Sequence, residues 1–439
     1  MYRDVINNLL AWYEEGHNGI LYIKGAYGVG KTWTVKDFAK AYYNDLKSVD
    51  CYKNTAFKAI ITRKLDKDND EDDVSIETKI SDVDFILEQH FGTSDFSDCL
   101  LIFDEIQNIP DAAEFFLEYS KAHPGYNLCL ISSSMNVTEF EYTHMDIFNI
   151  IRMRPMTFEE FMIANKANDL LALIENDKNK KLKKDDEEKV KALLRDYMLT
   201  GGMPGVVKAF LKNRDYSVIK AEQQKLLEEY ENRIRKAFSF ALSQRAIRIW
   251  ASMPTQLTHD NKKFMYRFVD ENARAREYYN ATQCLLDLGV ARKLPRVKEC
   301  VFPLEEHIDD KSFELFMIDH GLLRTALKLD ISEDITLLDI FTEANGAVAE
   351  QYLFQELSHK VGFVYYWISG ATARVPFVYE SEDSPVPVDI RFKTNKKAQN
   401  IKSFREKNDN TEFSLKISLE QVSLDGKVLN VPAYGIHCL

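Results

Sequence analysis

The chain has 439 residues, which at roughly 100–200 residues per domain argues for about three compact units. Hydrophobic residues make up 45% and charged residues 29%, an ordinary globular balance, and no apolar run approaches the ~18–20 residues that cross a bilayer. Lys plus Arg total 57 against 69 Asp plus Glu, a net charge of −12, so the mean surface field repels phosphate backbones and nucleic-acid binding needs a local basic patch.

A soluble protein with no membrane partner is expected. The start, Met1-Tyr2-Arg3-Asp4, runs into an amphipathic stretch with neither a basic n-region nor an apolar h-region, which predicts a cytoplasmic location over secretion. Cys51, Cys99, Cys129, Cys284, Cys300 and Cys438 include no Cys-x-x-Cys pair. That spacing speaks against a disulfide framework or zinc site and predicts reduced, mostly buried thiols.

The first element is the short apolar run Gly19-Ile20-Leu21-Tyr22-Ile23, with the character of a buried strand. Lys24-Gly25-Ala26-Tyr27-Gly28-Val29-Gly30-Lys31-Thr32 follows, then a helical pattern through Trp33, Val35, Phe38 and Ala39. Strand, glycine-rich loop and helix make a P-loop. Its glycines take positive φ, so that backbone N–H groups converge on a β-phosphate at a helix N-terminus. Gly25, Gly28, Val29, Gly30, Lys31, Thr32 and Trp33 are the expected nucleotide-binding residues, with Lys31 on the β- and γ-phosphates and the Thr32 hydroxyl on Mg²⁺. No guanine-specific motif is apparent, so ATP is expected.

Such a site needs acid on a neighbouring strand. Cys99-Leu100-Leu101-Ile102-Phe103 is a continuous apolar run, typical of a parallel strand covered on both faces, and it ends in Asp104-Glu105. Asp104 is the expected Mg²⁺ partner, and Glu105 the residue that polarises the attacking water. A third run, Leu128-Cys129-Leu130-Ile131, leads to Ser132-Ser133-Ser134. Ser133 reads either as a sensor between the γ-phosphate and the Walker B strand or as part of a serine-rich turn.

With these residues in view, the chain resembles a large bacterial and archaeal group of AAA-superfamily P-loop ATPases that end in a domain of unknown function with a PD-(D/E)XK nuclease-like fold. The likeness continues through Arg154-Pro155-Met156-Thr157-Phe158-Glu159-Glu160-Phe161, Thr200-Gly201-Gly202-Met203-Pro204 and Ser252-Met253-Pro254-Thr255-Gln256-Leu257. It extends to Ala273-Arg274-Ala275-Arg276-Glu277-Tyr278, Asp319-His320-Gly321-Leu322-Leu323 and Glu350-Gln351-Tyr352-Leu353-Phe354-Gln355-Glu356-Leu357. The resemblance implies an α/β fold: an AAA-type parallel-sheet core over 1–162, a helical lid over 163–240, a winged helix over 241–330 and an α/β nuclease-like domain over 331–439.

The remaining segments fit that layout. Phe158 to about Phe240 reads as helical, broken by the charged segment Glu175–Lys189. Tyr197-Met198-Leu199-Thr200 stops at Gly201-Gly202 and a new helix starts at Pro204, either as a plain helix junction or as a lid turn near the nucleotide. A helix around Ile247–Trp250, another from Asn272 to Leu288, and strands Val290–Leu294 and Cys300–Phe302 give the winged helix. Its basic residues (Arg274, Arg276, Arg292, Lys293, Arg296, Lys298) are either a DNA-contacting face or ordinary surface; packing of this domain over the nucleotide is slightly favoured.

In the tail, Glu350 matches the first metal ligand of the nuclease pattern. Ala373-Arg374-Val375-Pro376-Phe377 puts arginine for the glutamate and proline for the metal-binding aspartate, and Val388-Asp389-Ile390-Arg391 puts arginine for the lysine. An inactive nuclease fold is expected. In the ATPase half, Asp146-Ile147 stands where much of the group carries a glycine and a basic residue, and the loop Ala26-Tyr27-Gly28 lacks the group's usual arginine. The sum is an ATP-binding, nucleotide-gated switch with slow or conditional hydrolysis. The rival reading is an ATP-driven DNA-processing protein, and the protein partner and any homo-oligomer are left open.

Overall fold

The computed structural model describes residues 1–16, 19–63, 74–176, 181–370, 373–382, 384–392, 399–408 and 410–439. The chain divides into two compact units, Tyr2–Arg154 with Asp287–Gly289, and Pro155–Leu286 with Val290–Leu439. The divisions expected at 162, 240 and 330 all fall within the second unit. A local contact explains why the boundary comes as early as 154: the N–H of Phe158 donates to Glu356 Oε1 at 3.1 Å, which ties the 155–164 segment to the later chain.

The first unit runs α1 (Ile6–Glu14), β1 (Ile20–Lys24), α2 (Lys31–Tyr42), β2 (Asp45–Asp50), α3 (Thr55–Ile61), α4 (Ile76–Phe91), β3 (Cys99–Asp104), α5 (Ala112–Ala122), β4 (Asn127–Ser132), α6 (Glu139–Thr143) and β5 (Phe148–Arg152). All five strands are parallel, in the order β2-β3-β4-β1-β5. The apolar runs of β1, β3 and β4 are buried on both faces, as parallel strands between helices require. Phe103 packs on Phe57 of α3 and Phe116 of α5, with ring centroids 5.4 and 4.6 Å apart, filling the core on that side. Strand β4 lies between β1 and β3, so the carboxyl ends of these three strands emerge side by side, and ligands in open α/β sheets bind at that edge.

The second unit opens with helices α7 (Phe158–Ala164), α8 (Asn168–Glu175), α9 (Lys184–Thr200), α10 (Pro204–Asn213), α11 (Ser217–Ala237), α12 (Phe240–Leu257) and α13 (Ala275–Asp287, whose last residue falls in the first unit). It continues through β6 (Ala291–Val297), β7 (Ile308–Met317), α14 (His320–Ala326), α15 (Leu337–Thr342), α16 (Ala347–Lys360), β8 (Tyr365–Ser369), β9 (Ala373–Ser381), β10 (Ser384–Arg391), α17 (Gln399–Lys407), β11 (Ser414–Ser418), β12 (Ser423–Asp425) and β13 (Val428–Pro432). One mixed sheet, β12-β13-β11-β10-β9-β8-β6-β7, spans it.

Several expectations shift here. Helix α12 is far longer than Ile247–Trp250 and accommodates Pro254 near its end. The second strand of the hairpin is Ile308–Met317, not Cys300–Phe302. Cys300 and Leu304 pack with Val297, Tyr365 and Trp367 in a core cluster instead of laddering, and Pro303 has no N–H to donate. The hairpin is no free wing, because β6 pairs with β8 in the large sheet. Within the charged stretch 175–189, α8 ends at Glu175 and α9 begins at Lys184, while 177–180 lie outside the described residues.

Four of the segments carrying the sequence resemblance beyond the ATPase core, 155–161, 200–204, 319–323 and 350–357, meet at one buried junction. Gly201 sits at φ +71°, and a Cβ there would lie 2.2 Å from Asp319 Oδ1. Asp319 accepts from Gly202 N at 2.7 Å and from Leu322 N at 3.1 Å, which locks the α9–α10 turn onto the start of α14. Gln223 Nε2 donates to the Leu199 and Thr200 carbonyls at 3.0 and 2.9 Å. Thr157 and Glu160 form a capping box at α7, and Tyr197 OH donates to Met156 O at 2.5 Å.

Glu356 lies buried in this junction. Burial lifts its carboxyl from 4.5 to about 7, with Glu160 adding to the rise and His359, the Phe158 N–H and the Tyr197 hydroxyl opposing it. A carboxyl whose folded pKa exceeds its unfolded one contributes stability in full below the unfolded value, and that contribution is lost as pH rises through the folded value. The second unit is therefore expected to lose on the order of 2–3 kcal/mol between about pH 4.5 and 7, and Glu356→Gln to remove most of that slope. Thermal melts of both proteins across this range decide it; equal slopes would assign the effect elsewhere.

Candidate active site

The loop between β1 and α2 is shaped by its glycines, though not all for the same reason. Gly28 and Gly30 have φ +82° and +97°, and Gly30 caps α2 in the left-handed region. Gly25 does not take a positive φ; a Cβ there would meet the Met153 carbonyl oxygen at 2.4 Å. Arg3 anchors the loop from outside, donating to Val29 O at 2.5 Å and to Arg154 O at 2.6 Å. Lys31 is buried, and its ammonium donates to Gly25 O, Ala26 O and Ser133 Oγ at 2.8, 2.9 and 3.1 Å. Val29 is buried, whereas Trp33 is exposed on the first turn of α2. Asp146 is an exposed residue before β5.

Across from the loop, Thr32 Oγ1 donates to Asp104 Oδ2 at 2.6 Å, and Asp104 Oδ1 accepts from Glu105 N at 2.9 Å. Burial raises the Asp104 pKa, and neighbouring Glu105 adds to the rise, against the Thr32 bond and the Lys31 charge. A hydroxyl and a carboxylate this close make a hard oxygen pair that suits a divalent cation. Glu105 has a left-handed backbone, φ +60° and ψ 39°, and its carboxylate accepts from Ser133 Oγ at 2.9 Å and from Gln107 Nε2 at 2.5 Å. Gln107 Oε1 in turn accepts from Ser133 N at 2.9 Å. Every site residue expected from sequence thus falls in or beside one cluster. Gln107 belongs to the run Leu101-Ile102-Phe103-Asp104-Glu105-Ile106-Gln107 that shares in the family resemblance, but sequence reasoning assigns it no role, because a glutamine after an acidic pair has no chemistry of its own to point to.

Two further features had no sequence signal. Buried Lys24, at the end of β1, donates to Glu141 Oε2 at 2.7 Å and to Asn136 O at 2.6 Å, and the same Glu141 completes the capping box of α6. Asp287–Gly289, remote in sequence, is part of this unit. The Asp287 carbonyl accepts from Met135 N at 2.6 Å and Ser134 Oγ at 3.1 Å, directly after Ser133. Gly289, at φ +69°, approaches so closely that a Cβ would lie 2.7 Å from Met135 Cγ and 3.2 Å from Ala26 Cβ in the P-loop.

In the second unit, Glu350, Arg374, Pro376, Asp389 and Arg391 line one cleft of about 260 Å³, together with Lys262. The Arg374 guanidinium spans Glu314, at 2.8–3.0 Å, and Glu350 Oε2, at 2.9 Å; Lys262 Nζ lies 2.7 Å from Glu350 Oε1 and Arg391 Nε 2.8 Å from Asp389 Oδ2. Burial alone would raise Glu350, but Arg374 and Lys262 override it and hold the carboxyl at about 2. Among the described residues no group of three His, Cys, Asp or Glu is placed to hold a metal. The six cysteines form no disulfide, and all but the half-buried Cys438 are buried. Among the described residues, no helix is long and apolar enough to cross a membrane.

A parallel sheet with a phosphate-loop strand, an acidic strand and a third strand between them defines the core of a P-loop ATPase. Residues 17–162 match the family model described as an AAA domain, so this part of the chain is an AAA-type ATPase domain, a class that binds ATP with Mg²⁺. Residues 191–333 match a domain of unknown function, DUF8612. No curated protein matches the chain. Among solved structures, the chain is similar to the Walker-type ATPase PABY2304 of Pyrococcus abyssi, at 13% identity, covering 75% of this chain and 96% of that one, with a TM-score of 0.43. It is also similar to C. elegans PCH-2, at 11% identity, 48% and 62% coverage and a TM-score of 0.31. A third is PH0952 of Pyrococcus horikoshii, a signal-transduction ATPase with a tetratricopeptide-repeat sensor, at 12% identity, 81% and 48% coverage and a TM-score of 0.28.

Proposed function

We propose that the chain is an ATP-binding switch that hydrolyses ATP slowly or conditionally, and that its second unit carries a nuclease-type cleft that no longer binds metal. The observation that carries the switch reading is Asp287–Gly289: a segment joining α13 to β6 is held against P-loop Ala26 and the residues after Ser133. Anything that moves the P-loop or the end of β4 on nucleotide binding is felt there. Gly25 to Trp33 would cradle the phosphates at the start of α2, with Lys31 exchanging its loop carbonyls for phosphate oxygens. Thr32 and Asp104 would hold Mg²⁺, which supplies charge neutralisation on the β- and γ-phosphates.

Hydrolysis joins a water oxygen to the γ-phosphorus and breaks its bond to the β,γ-bridging oxygen, which leaves with the electron pair on ADP. Glu105 would orient that water and take its proton, and Ser133 would sense the γ-phosphate. Glu105→Gln is expected to bind ATP normally and lose turnover, while hydrogen exchange at 287–297 still changes when ATP and Mg²⁺ are added. Wild-type turnover in the variant would overturn the role of Glu105, and exchange indifferent to nucleotide would overturn the switch.

The DNA-processing alternative is weakened by its own residues. Arg292 donates to Ser358 Oγ at 2.6 Å and Arg296 pairs with Asp309, both half-buried, while Lys293 lies over Phe313 and is exposed along with Arg274, Arg276 and Lys298. DNA-stimulated turnover would restore that reading.

A further inference from the structure

Resting on the role proposed for Glu105, we infer that Gln107 is a positioning residue, an amide clamp that holds the Glu105 carboxylate in register with the end of β4. Its two ends do different work. The Nε2 donates to Glu105 Oε2 at 2.5 Å, and Oε1 accepts the Ser133 backbone N–H at 2.9 Å. Ser133 closes the ring by donating its hydroxyl to Glu105 Oε1 at 2.9 Å, while accepting from Lys31 Nζ at 3.1 Å. The carboxylate is therefore fixed through both oxygens, each of which keeps a lone pair for a water.

The backbone supports the same assignment independently. Glu105 is held at φ +60°, a conformation that costs a non-glycine residue about 1 kcal/mol or more and persists where the surroundings enforce it. Asn108 helps to enforce it, donating from Nδ2 to the Glu105 carbonyl at 3.1 Å. The result aims the side chain of Glu105 back toward β4 and Lys31 instead of outward along β3.

Only glutamine meets both demands at this position. Alanine loses both bonds, and asparagine is one methylene too short. Glutamate would still accept the Ser133 N–H but would set a second carboxylate oxygen against Glu105 in place of a donor. Gln107→Ala is expected to lower kcat about tenfold with the ATP dissociation constant and melting temperature unchanged. Gln107→Glu keeps the acceptor for the Ser133 N–H but loses the donor to Glu105, and it should lower kcat at least as far with the ATP dissociation constant again unchanged, a split between turnover and binding that lost packing alone would not give.

The measurement is single-turnover hydrolysis of γ-labelled ATP over hours, with Glu105→Gln in parallel. Wild-type kcat in both Gln107 variants beside an inactive Glu105→Gln overturns the clamp alone. Turnover by Glu105→Gln at the wild-type rate, or none by the unsubstituted chain, overturns the role of Glu105 and the clamp with it.

Discussion

Lys31→Ala is expected to weaken ATP binding by roughly 30-fold to several thousand-fold in a calorimetric titration, beyond detection at the upper end of that range. The ammonium is buried under the loop with three oxygen acceptors around it, so it is held within reach of a phosphate and reaches it by exchanging partners rather than by ordering a free side chain. Removing one member of a buried, charge-assisted set costs about 2–5 kcal/mol, which is roughly 30-fold to several thousand-fold in affinity. The alanine also leaves the Gly25 and Ala26 carbonyls without their donor, so the cradle itself loosens. Lys31→Arg is the informative companion: it keeps the charge, but a planar fork does not fit the space of a compact ammonium. Unchanged affinity in the alanine variant would remove the P-loop assignment.

What was legible in the sequence was what local chemistry dictates. The Cys99–Phe103 run could only be a strand buried on both faces, and the Gly25-to-Thr32 spacing only makes sense before a helix. Lys31, Thr32, Asp104, Glu105 and Ser133 were accordingly found together. Strand β7 was missed because its opening, Ile308-Asp309-Asp310-Lys311, is charged, and its burial depends on pairing with β6. Helix α12 was read as only Ile247–Trp250, whereas it runs from Phe240 to Leu257 with Pro254 inside its last turn. Asp287–Gly289 could not have been placed at all. Its role depends on a close approach to Ala26 and Met135, which are far from it in sequence, and a lone glycine after a helix reads as a cap.

The Glu350 cleft gives the other large effect. Arg374→Met is expected to destabilise the second unit by about 3–5 kcal/mol, on the order of 10 °C in its melting transition. The guanidinium is the shared partner of Glu314, which is fully buried, and of Glu350; without it Glu350 keeps Lys262, but Glu314 keeps no ion-pair partner in this cleft. An uncompensated buried carboxylate takes up a proton. Burial already pushes Glu314 upward and Arg374 is the principal opposing charge, so its loss frees that rise. The sign follows: protonated Glu314 needs no cation, and the deficit of the variant should be smaller at pH 5 than at pH 8. Adding Glu314→Gln should recover much of the loss at pH 8. The same tethered cation explains why the unmodified chain should not cut DNA or RNA with Mg²⁺ or Mn²⁺. Glu350 is committed to Arg374 and Lys262, Asp389 to Arg391, and Pro376 offers no ligand. A wild-type melting temperature in Arg374→Met would show that the ion cluster does not carry the fold. Metal-dependent cleavage that disappears in Glu350→Ala would show that the cleft is still a working nuclease.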